Sequence, residues 1–385
     1  KTVWLGRGLK LHKSYFLKAT SANRLWKFRY PNRLIGVFSA MKFRDHSKGG
    51  NLFSSINHQQ EMAKRPVGII KLKGLIDWNC FRPVLDVVTG YNTKDWSKGG
   101  NLPFDPLLMF KILILQHYHG LSDEATEFQI GDRLSFMHFL DLQMGDDIPD
   151  ANTIWDFKEL IEKDGRDGSN KLFAKFHEIL DQQDLIAKEG SIIDASFVEA
   201  PKQRNTRDQN KQIKEGTRPE GFEEGSAKGS QKDCDARWTK KNNEVHYGYK
   251  NHAKVDTKSK LIDTYTTTAA SVHDSQVFEE LLDAKDKAIL ADSAYKSEAN
   301  EEIMLKNDLE DFVMLKAYRN NPLSEKDKAF NKKVSRMRVR VEHVFGRMKY
   351  MGSDLFRRIG LKRAKQHNAF CNLTYNMDRY AFLIR

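Results

Sequence analysis

The sequence predicts an α/β protein in which a mixed sheet flanked by helices follows a small all-α segment. Three observations carry that expectation. The run Leu107 to Tyr118 is apolar on nearly every side and bounded by helix punctuation. From Ser191 the pattern changes, and short apolar runs of strand length alternate with helical spacings. Two of those runs, Ser191-Ile192-Ile193 and Ala288-Ile289-Leu290-Ala291, each end in an aspartate, Asp194 and Asp292. At 385 residues the chain has room for two domains, or for one domain with insertions.

Taken in order, the helices come first. Asp105 can cap, Pro106 suits a first turn, and Gly120 stops the helix that begins there. Ser122 is the next cap, with Asp123 and Glu124 favourable at the positive end of its helix. A short helix follows Asp132 with Leu134, Phe136, Phe139 and Leu140, and another follows Pro149-Asp150 with Ile154, Phe157 and Ile161. Ser191 to Val198 then reads as a strand. Residues 201–243 are almost purely polar and read as an inserted, mobile loop. Tyr247 to Val255 and Leu261 to Thr267 make a hairpin, and Asp274 caps a helix carrying Val277, Phe278, Leu281 and Leu282. The strand to Asp292 follows, then a polar helix near Ser297 to Leu305, a short strand at Phe312 to Leu315, and a basic helix spanning Val334 to Met348. Strand, hairpin, helix, strand, helix, strand, helix is the order of a ribonuclease-H-like sheet.

Charge adds a location. The formal net charge is +12, but residues 1–40 hold +9 with no acid at all, and Arg319 to Arg385 hold +12. Residues 41–318 therefore carry −9. A basic block at one end is the footprint of a polyanion partner. The leader 1–40 precedes Met41 and reads better as translated upstream DNA than as a transit peptide. The longest apolar stretch is too short to cross a bilayer. Cys80, Cys234 and Cys371 are isolated, without disulfide or zinc spacing, so the expected compartment is a reducing cytoplasm. The expected divisions are the leader 1–40, a poorly defined region 41–97, a helical domain 98–188, and a catalytic domain 189–385 with the polar insertion 201–243.

The acids point to chemistry. A carboxylate ending a buried strand is costly to hold charged unless a cation neutralises it. Asp194 and Asp292 occupy such positions, and Glu342 lies in the basic helix. Three such groups could gather around Mg²⁺, as phosphoryl transfer by two metals requires. Counting 100° per residue from Arg338, Glu342 falls at about 40° and Lys349 at about 20°, beside the apolar stripe of Val334, Val341, Phe345 and Met348. Arg336, Arg340, His343 and Arg347 fall on the far side. Arg338 and Lys349 are thus suited to gripping phosphate next to a metal. Read alone, the helix is equally an ordinary amphipathic one with an Arg338–Glu342 pair; the contexts of Asp194 and Asp292 change that balance. His246 and His252 show no partner ligand for zinc.

These residues resemble a family. Arg338, Glu342 and Lys349 fit the C-terminal Tyr-Arg-Glu-Lys signature of bacterial insertion-sequence transposases of the DDE class, specifically the insertion sequence five family; Ser335 stands where the Tyr is expected. Asp235 to Trp238, Gly248 to Lys250, Val272 to Gln276, Ala291 to Tyr295 and Pro106 to Asp150 are similarly family-like, so the resemblance spans roughly 98–385. It implies a ribonuclease-H-like core with Asp194, Asp292 and Glu342 as catalytic, metal-binding residues for two Mg²⁺ ions, or Mn²⁺ in their place. It implies cleavage at transposon ends and strand transfer into target DNA. The implied partners are terminal inverted repeats, target DNA and at least a second copy of the chain, in a DNA-associated bacterial protein with no membrane role. Arg336, Arg338, Arg340, Arg347, Lys349, Arg237 and Trp238 are the candidate DNA contacts. The alternatives are an inactive DNA-binding relic of a transposase and a Mg²⁺-dependent nuclease that never joins strands.

Overall fold

The computed structural model of the chain describes Gly68 to Ile384, less residues 94–96, 98, 100, 224, 242 and 319–321, together with Asn57, Gln60, Glu61 and Lys64. The basic leader and much of 41–97 lie outside the described residues. The helical part comprises α1 (Ile70–Leu75), α2 (Arg82–Thr89), α3 (Pro106–His119), α4 (Asp123–Asp132), α5 (Leu134–Leu140), α6 (Ala151–Glu162) and α7 (Gly168–Gln182). The caps act as their sequence suggests. Asp105 accepts from the Leu107 amide at 3.0 Å, Ser122 from Ala125 at 3.1 Å and Asp150 from Thr153 at 2.7 Å, each satisfying an otherwise orphan donor.

The strands are β1 (Ser191–Glu199), β2 (Arg237–Lys241), β3 (Glu244–Asp256), β4 (Ile262–Ala269), β5 (Ala288–Ala291) and β6 (Glu310–Val313). They form one mixed sheet in the order β2-β3-β1-β5-β6, with β4 also paired to β3. β1 and β3 are antiparallel, as are β3 and β4; β1, β5 and β6 run parallel. This mixed sheet, flanked by helices, fits a ribonuclease-H-like core. β3 is long enough to pair with β2 through Glu244–Gly248 and with β4 through Tyr249–Val255. At the junction Gly248 has φ +143°, and a Cβ there would lie 2.3 Å from the Val198 carbonyl oxygen. Only glycine lets β1 and β3 approach so closely there.

After β5 come α9 (Glu298–Lys306), the long basic α10 (Glu325–Tyr350) and α11 (Leu361–Leu383). The helical segment 98–188 shares its core with the sheet. Phe110, Leu113, Phe157 and Phe176 belong to one buried cluster with Ile192, Val255 and Leu290 of the sheet, Val341 and Val344 of α10, and Phe370 and Leu373 of α11. α3 is apolar all round, so it needs cover on every side, and α11 supplies part of it. The opposite face of the sheet packs Ile193, Ile289 and Ala291 on Phe278, Tyr295 and Met304.

Two sequence expectations need correction. The polar segment 201–243 is a folded insertion. It contains α8 (Arg207–Lys214), started by a Thr206–Gln209 capping box, and β2. Phe222 is fully buried. The buried Asp233 accepts from the Ala236 amide at 2.9 Å, the Tyr249 hydroxyl at 2.8 Å and the Gly360 amide at 3.1 Å. These long-range bonds tie a polar sequence into the structure without an apolar periodicity to announce it. After Asp274, two 3₁₀ turns replace the expected α-helix. His273 caps them, because Asp274 is drawn inward to Lys250 Nζ at 2.8 Å. Among the described residues, no helix is long and apolar enough to cross a membrane.

Candidate active site

Strand register builds the centre of the site. Ile193 of β1 pairs with Ala291 of β5 in parallel, so the next residues, Asp194 and Asp292, stand side by side where that pairing ends. Side chains alternate along a strand. Ile193 and Ala291 face the cluster around Phe278, whereas Ile192 and Leu290 face the cluster containing Val341 and Val344. Asp194 and Asp292 share that second face, the one α10 covers. Asp292 remains extended and turns its Oδ1 back to the Ser293 amide at 2.5 Å.

Asp194 is half-buried, and its Oδ2 accepts from the Arg338 guanidinium of α10 at 2.7 Å. Its Oδ1 accepts from the Ala195 amide at 2.8 Å. Burial pushes the Asp194 carboxyl above its ordinary range, while Arg338, the Ala195 amide and Lys241 counter that only in part. Arg338 makes a weak contact to Met314 Sδ at 3.5 Å, and its buried Nε has no partner among the described residues. This guanidinium is therefore incompletely satisfied. The fully buried Tyr295, three residues after Asp292, also lacks a hydroxyl partner, and burial with the charges of Asp274, Asp194 and Asp292 raises its pKa far above normal. Neither the Arg338–Asp194 pair nor Tyr295 was identified in the sequence as such. Tyr295's place just past a strand-ending aspartate was the available signal.

Glu342 is exposed on α10, one turn beyond Arg338, with no hydrogen bond or ion pair among the described residues. The structure thus pairs two of the three candidate acids and leaves the third on the adjoining helix. Among the described residues, the histidine, cysteine and carboxylate groups whose ligand atoms converge within 4.8 Å are His117, His367 and Cys371, not the three acids. The donor chemistry still suits a hard divalent cation: two carboxylates where adjacent parallel strands end, one of them disfavoured as an anion by burial.

The candidate DNA contacts divide. Arg336 is exposed and has no partner among the described residues, and Lys349 is exposed with Asp354 at 3.4 Å. Arg340 donates to the Thr257 carbonyl at 2.6 Å, and Arg347 pairs with Asp378 of α11 at 2.9 Å and with the Tyr118 hydroxyl at 3.2 Å. The far side of α10, read from angles as an outer face, is thus partly occupied by neighbouring elements. Arg237 donates to the Cys234 carbonyl at 2.6 Å. Trp238 packs tilted against Tyr247 with centroids 4.7 Å apart and leaves nearly half its surface exposed.

Residues 186–377 match the family described as Transposase DDE domain, a span that contains Asp194, Asp292 and Glu342. Residues 58–160 match a second, described as Transposase domain (DUF772), which reaches some way upstream of the stretch where the resemblance begins. No solved structure matches the chain. Proteins with the DDE domain generally use divalent metal ions and act on DNA. With one transposase domain following another along its length, this chain belongs to the DDE-family transposases.

Proposed function

We propose that the protein cuts DNA at the ends of its own mobile element and joins the freed strands to target DNA, as a member of the insertion sequence five family. The observation that carries this reading is the side-by-side placement of Asp194 and Asp292 at the end of the β1–β5 pairing, on the face covered by α10. Asp194, Asp292 and Glu342 are the residues to hold Mg²⁺, with Mn²⁺ as a substitute. Bound there, two such ions would supply an activated attacking oxygen and stabilise the leaving one.

The chain's own residues have separable tasks. Asp194, fixed on the central strand and hydrogen-bonded through both oxygens, is the rigid ligand. Arg338 neutralises it and, being incompletely satisfied, can exchange that partner for a phosphate oxygen. Glu342, with no partner among the described residues, can swing without breaking a contact among them. Lys349 and Arg336 are placed to meet the DNA backbone, and Trp238 offers an aromatic surface to it. Two transposon ends must be held together, so we infer that at least two copies of the chain act at once.

Incubation of the protein with labelled end DNA, a target plasmid and Mg²⁺ tests this. The expected product is end DNA joined to plasmid, lost in Asp292→Ala. Cleaved ends without joined product would make it a nuclease. Binding alone would make it a relic, a reading that the Arg338–Asp194 pair and the solvent-facing Glu342 also accommodate. Unchanged joining by Asp292→Ala would remove the acid assignment.

A further inference from the structure

A second cluster lies outside both the acid pair and the DNA-facing cations. His367 and Cys371 are one turn apart on α11, so their side chains leave the same face of the helix. His117 comes from α3, which packs against α11. The ligand atoms of the three residues all lie within 4.8 Å of one another; His367 Nε2 lies 3.2 Å from the Ser353 carbonyl oxygen and carries the proton, which leaves Nδ1, 4.0 Å from Cys371 Sγ, as the donor. The spacing of two ligands at i and i+4, met by a third from a crossing helix, is how helical proteins converge donors on one ion.

The histidine rings are held for ligation, while burial pushes the Cys371 thiol up, which the metal's own charge must offset. His117 Nδ1 lies 2.8 Å from the Leu113 carbonyl oxygen, so it carries the proton and leaves Nε2 as an acceptor. Such a backbone anchor fixes tautomer and ring direction in metal-binding histidines. His117 is further held by stacking on Phe370, with centroids 5.3 Å apart. Lys158 and Arg358 line the same cavity as the cluster. The same cations disfavour a second positive charge, which an anionic sulfur ligand would offset. A cavity of about 680 Å³ adjoins the cluster and is lined by all three residues and by Gln116. The side chain of Gln116 is 3% exposed, and its Oε1 has no partner.

We propose that His117, His367 and Cys371 bind one zinc-class divalent ion that joins α3 to α11, with its fourth position open to the cavity. On binding, the Cys371 S–H bond breaks, the sulfur takes the metal as thiolate and the proton leaves to solvent. The two imidazoles donate lone pairs without losing a proton. The ion is distinct in kind from the one suited to Asp194 and Asp292: nitrogen and sulfur donors select a softer metal than carboxylates do.

The test uses the full chain, stripped of metal and titrated with Co²⁺. The expected result is a thiolate-to-cobalt charge-transfer absorption with tetrahedral ligand-field bands, both abolished by adding Zn²⁺. Carboxylate-bound cobalt gives no such charge-transfer signal, so occupancy at the aspartates does not imitate it. Cys371→Ala should lose the band and weaken zinc binding by more than about 100-fold. His117→Gln should shift the ligand-field bands while retaining the sulfur signal, which keeps the test informative should Cys371→Ala fold poorly. No charge-transfer band in the parent protein would overturn the proposal, and so would a band that persists in a folded Cys371→Ala chain, since Cys80 or Cys234 would then be its source.

Discussion

Two pairs of aspartates flank this sheet, and they are treated in opposite ways. Asp263 and Asp286 meet the fully buried Lys254 at 2.8 and 2.7 Å, and Asp286 also accepts from the Ser191 hydroxyl at 3.1 Å. His177 adds a contact to Asp263 at 2.7 Å. Burial raises the Asp263 carboxyl, but His177, Lys254 and Lys188 outweigh it and hold the group well below its ordinary range. Arg338 reaches Asp194 alone, burial leaves the Asp194 carboxyl above its ordinary range, and Asp292 has no ion pair among the described residues. Acids whose charge the protein compensates from within are architecture. Acids left under-compensated at a strand end are available to something from outside.

Removing the cation from the first pair gives the largest expected loss of stability. Lys254→Ala removes the buried cation from both carboxylates, leaving Asp286 without an ion pair, and should cost about 3 to 5 kcal/mol, read from urea unfolding. A loss under about 1 kcal/mol would mean the two pairs do not differ in the way described. At the other pair the effect should fall on activity instead. Asp292→Ala should slow strand joining on the order of a thousandfold, about 4 kcal/mol of barrier, while unfolding free energy moves by less than about 1 kcal/mol. Equal damage to folding and activity would dissolve the distinction.

Acid sharpens the contrast further. The depressed Asp263 carboxyl contributes stability that is fully present above its unfolded pKa of about 3.9 and is lost as pH falls below that value toward the folded one. Asp263→Asn should therefore flatten the acid limb of stability below about pH 4, measured by denaturant unfolding at stepped pH. Gly248→Ala, at the seam beside β1, should cost about 1 to 3 kcal/mol by forcing a Cβ on the Val198 carbonyl. The smallest change belongs to the exposed Arg336. Its alanine variant should lower the slope of log affinity for DNA against log salt by about one, without altering sequence preference. A slope that does not change removes Arg336 from the interface.

Local grammar made much of the fold legible. Asp105, Ser122 and Asp150 announced their helices because a cap acts within three residues. Ser191 to Val198 and the hairpin to Thr267 were visible because strand length and turn residues are local too. The two aspartates could be singled out because a charged residue ending an apolar run is unusual in one dimension. What could not be read depended on partners far along the chain. Asp233 organises the insertion through Tyr249 and Gly360, so its segment looked like a polar loop. Asp274 reads as a cap until Lys250 claims it. The angle of Arg347 on α10 gave its direction but not that Asp378 and Tyr118 would be waiting there. Arg338 was recognised as facing the site, yet the partner it chose, 144 residues upstream, was not.

α11 lies against α3, although more than 240 residues separate their sequences. In synthesis from the N-terminus the first helices therefore emerge well before their cover, and Phe110, Leu113 and their neighbours lack that part of their burial until Phe370 and Leu373 follow. Copies of the gene interrupted anywhere upstream of Gly360 would yield chains with that greasy surface left bare, which quality-control proteases recognise. The architecture thus ties the persistence of the enzyme in a cell to an intact reading frame.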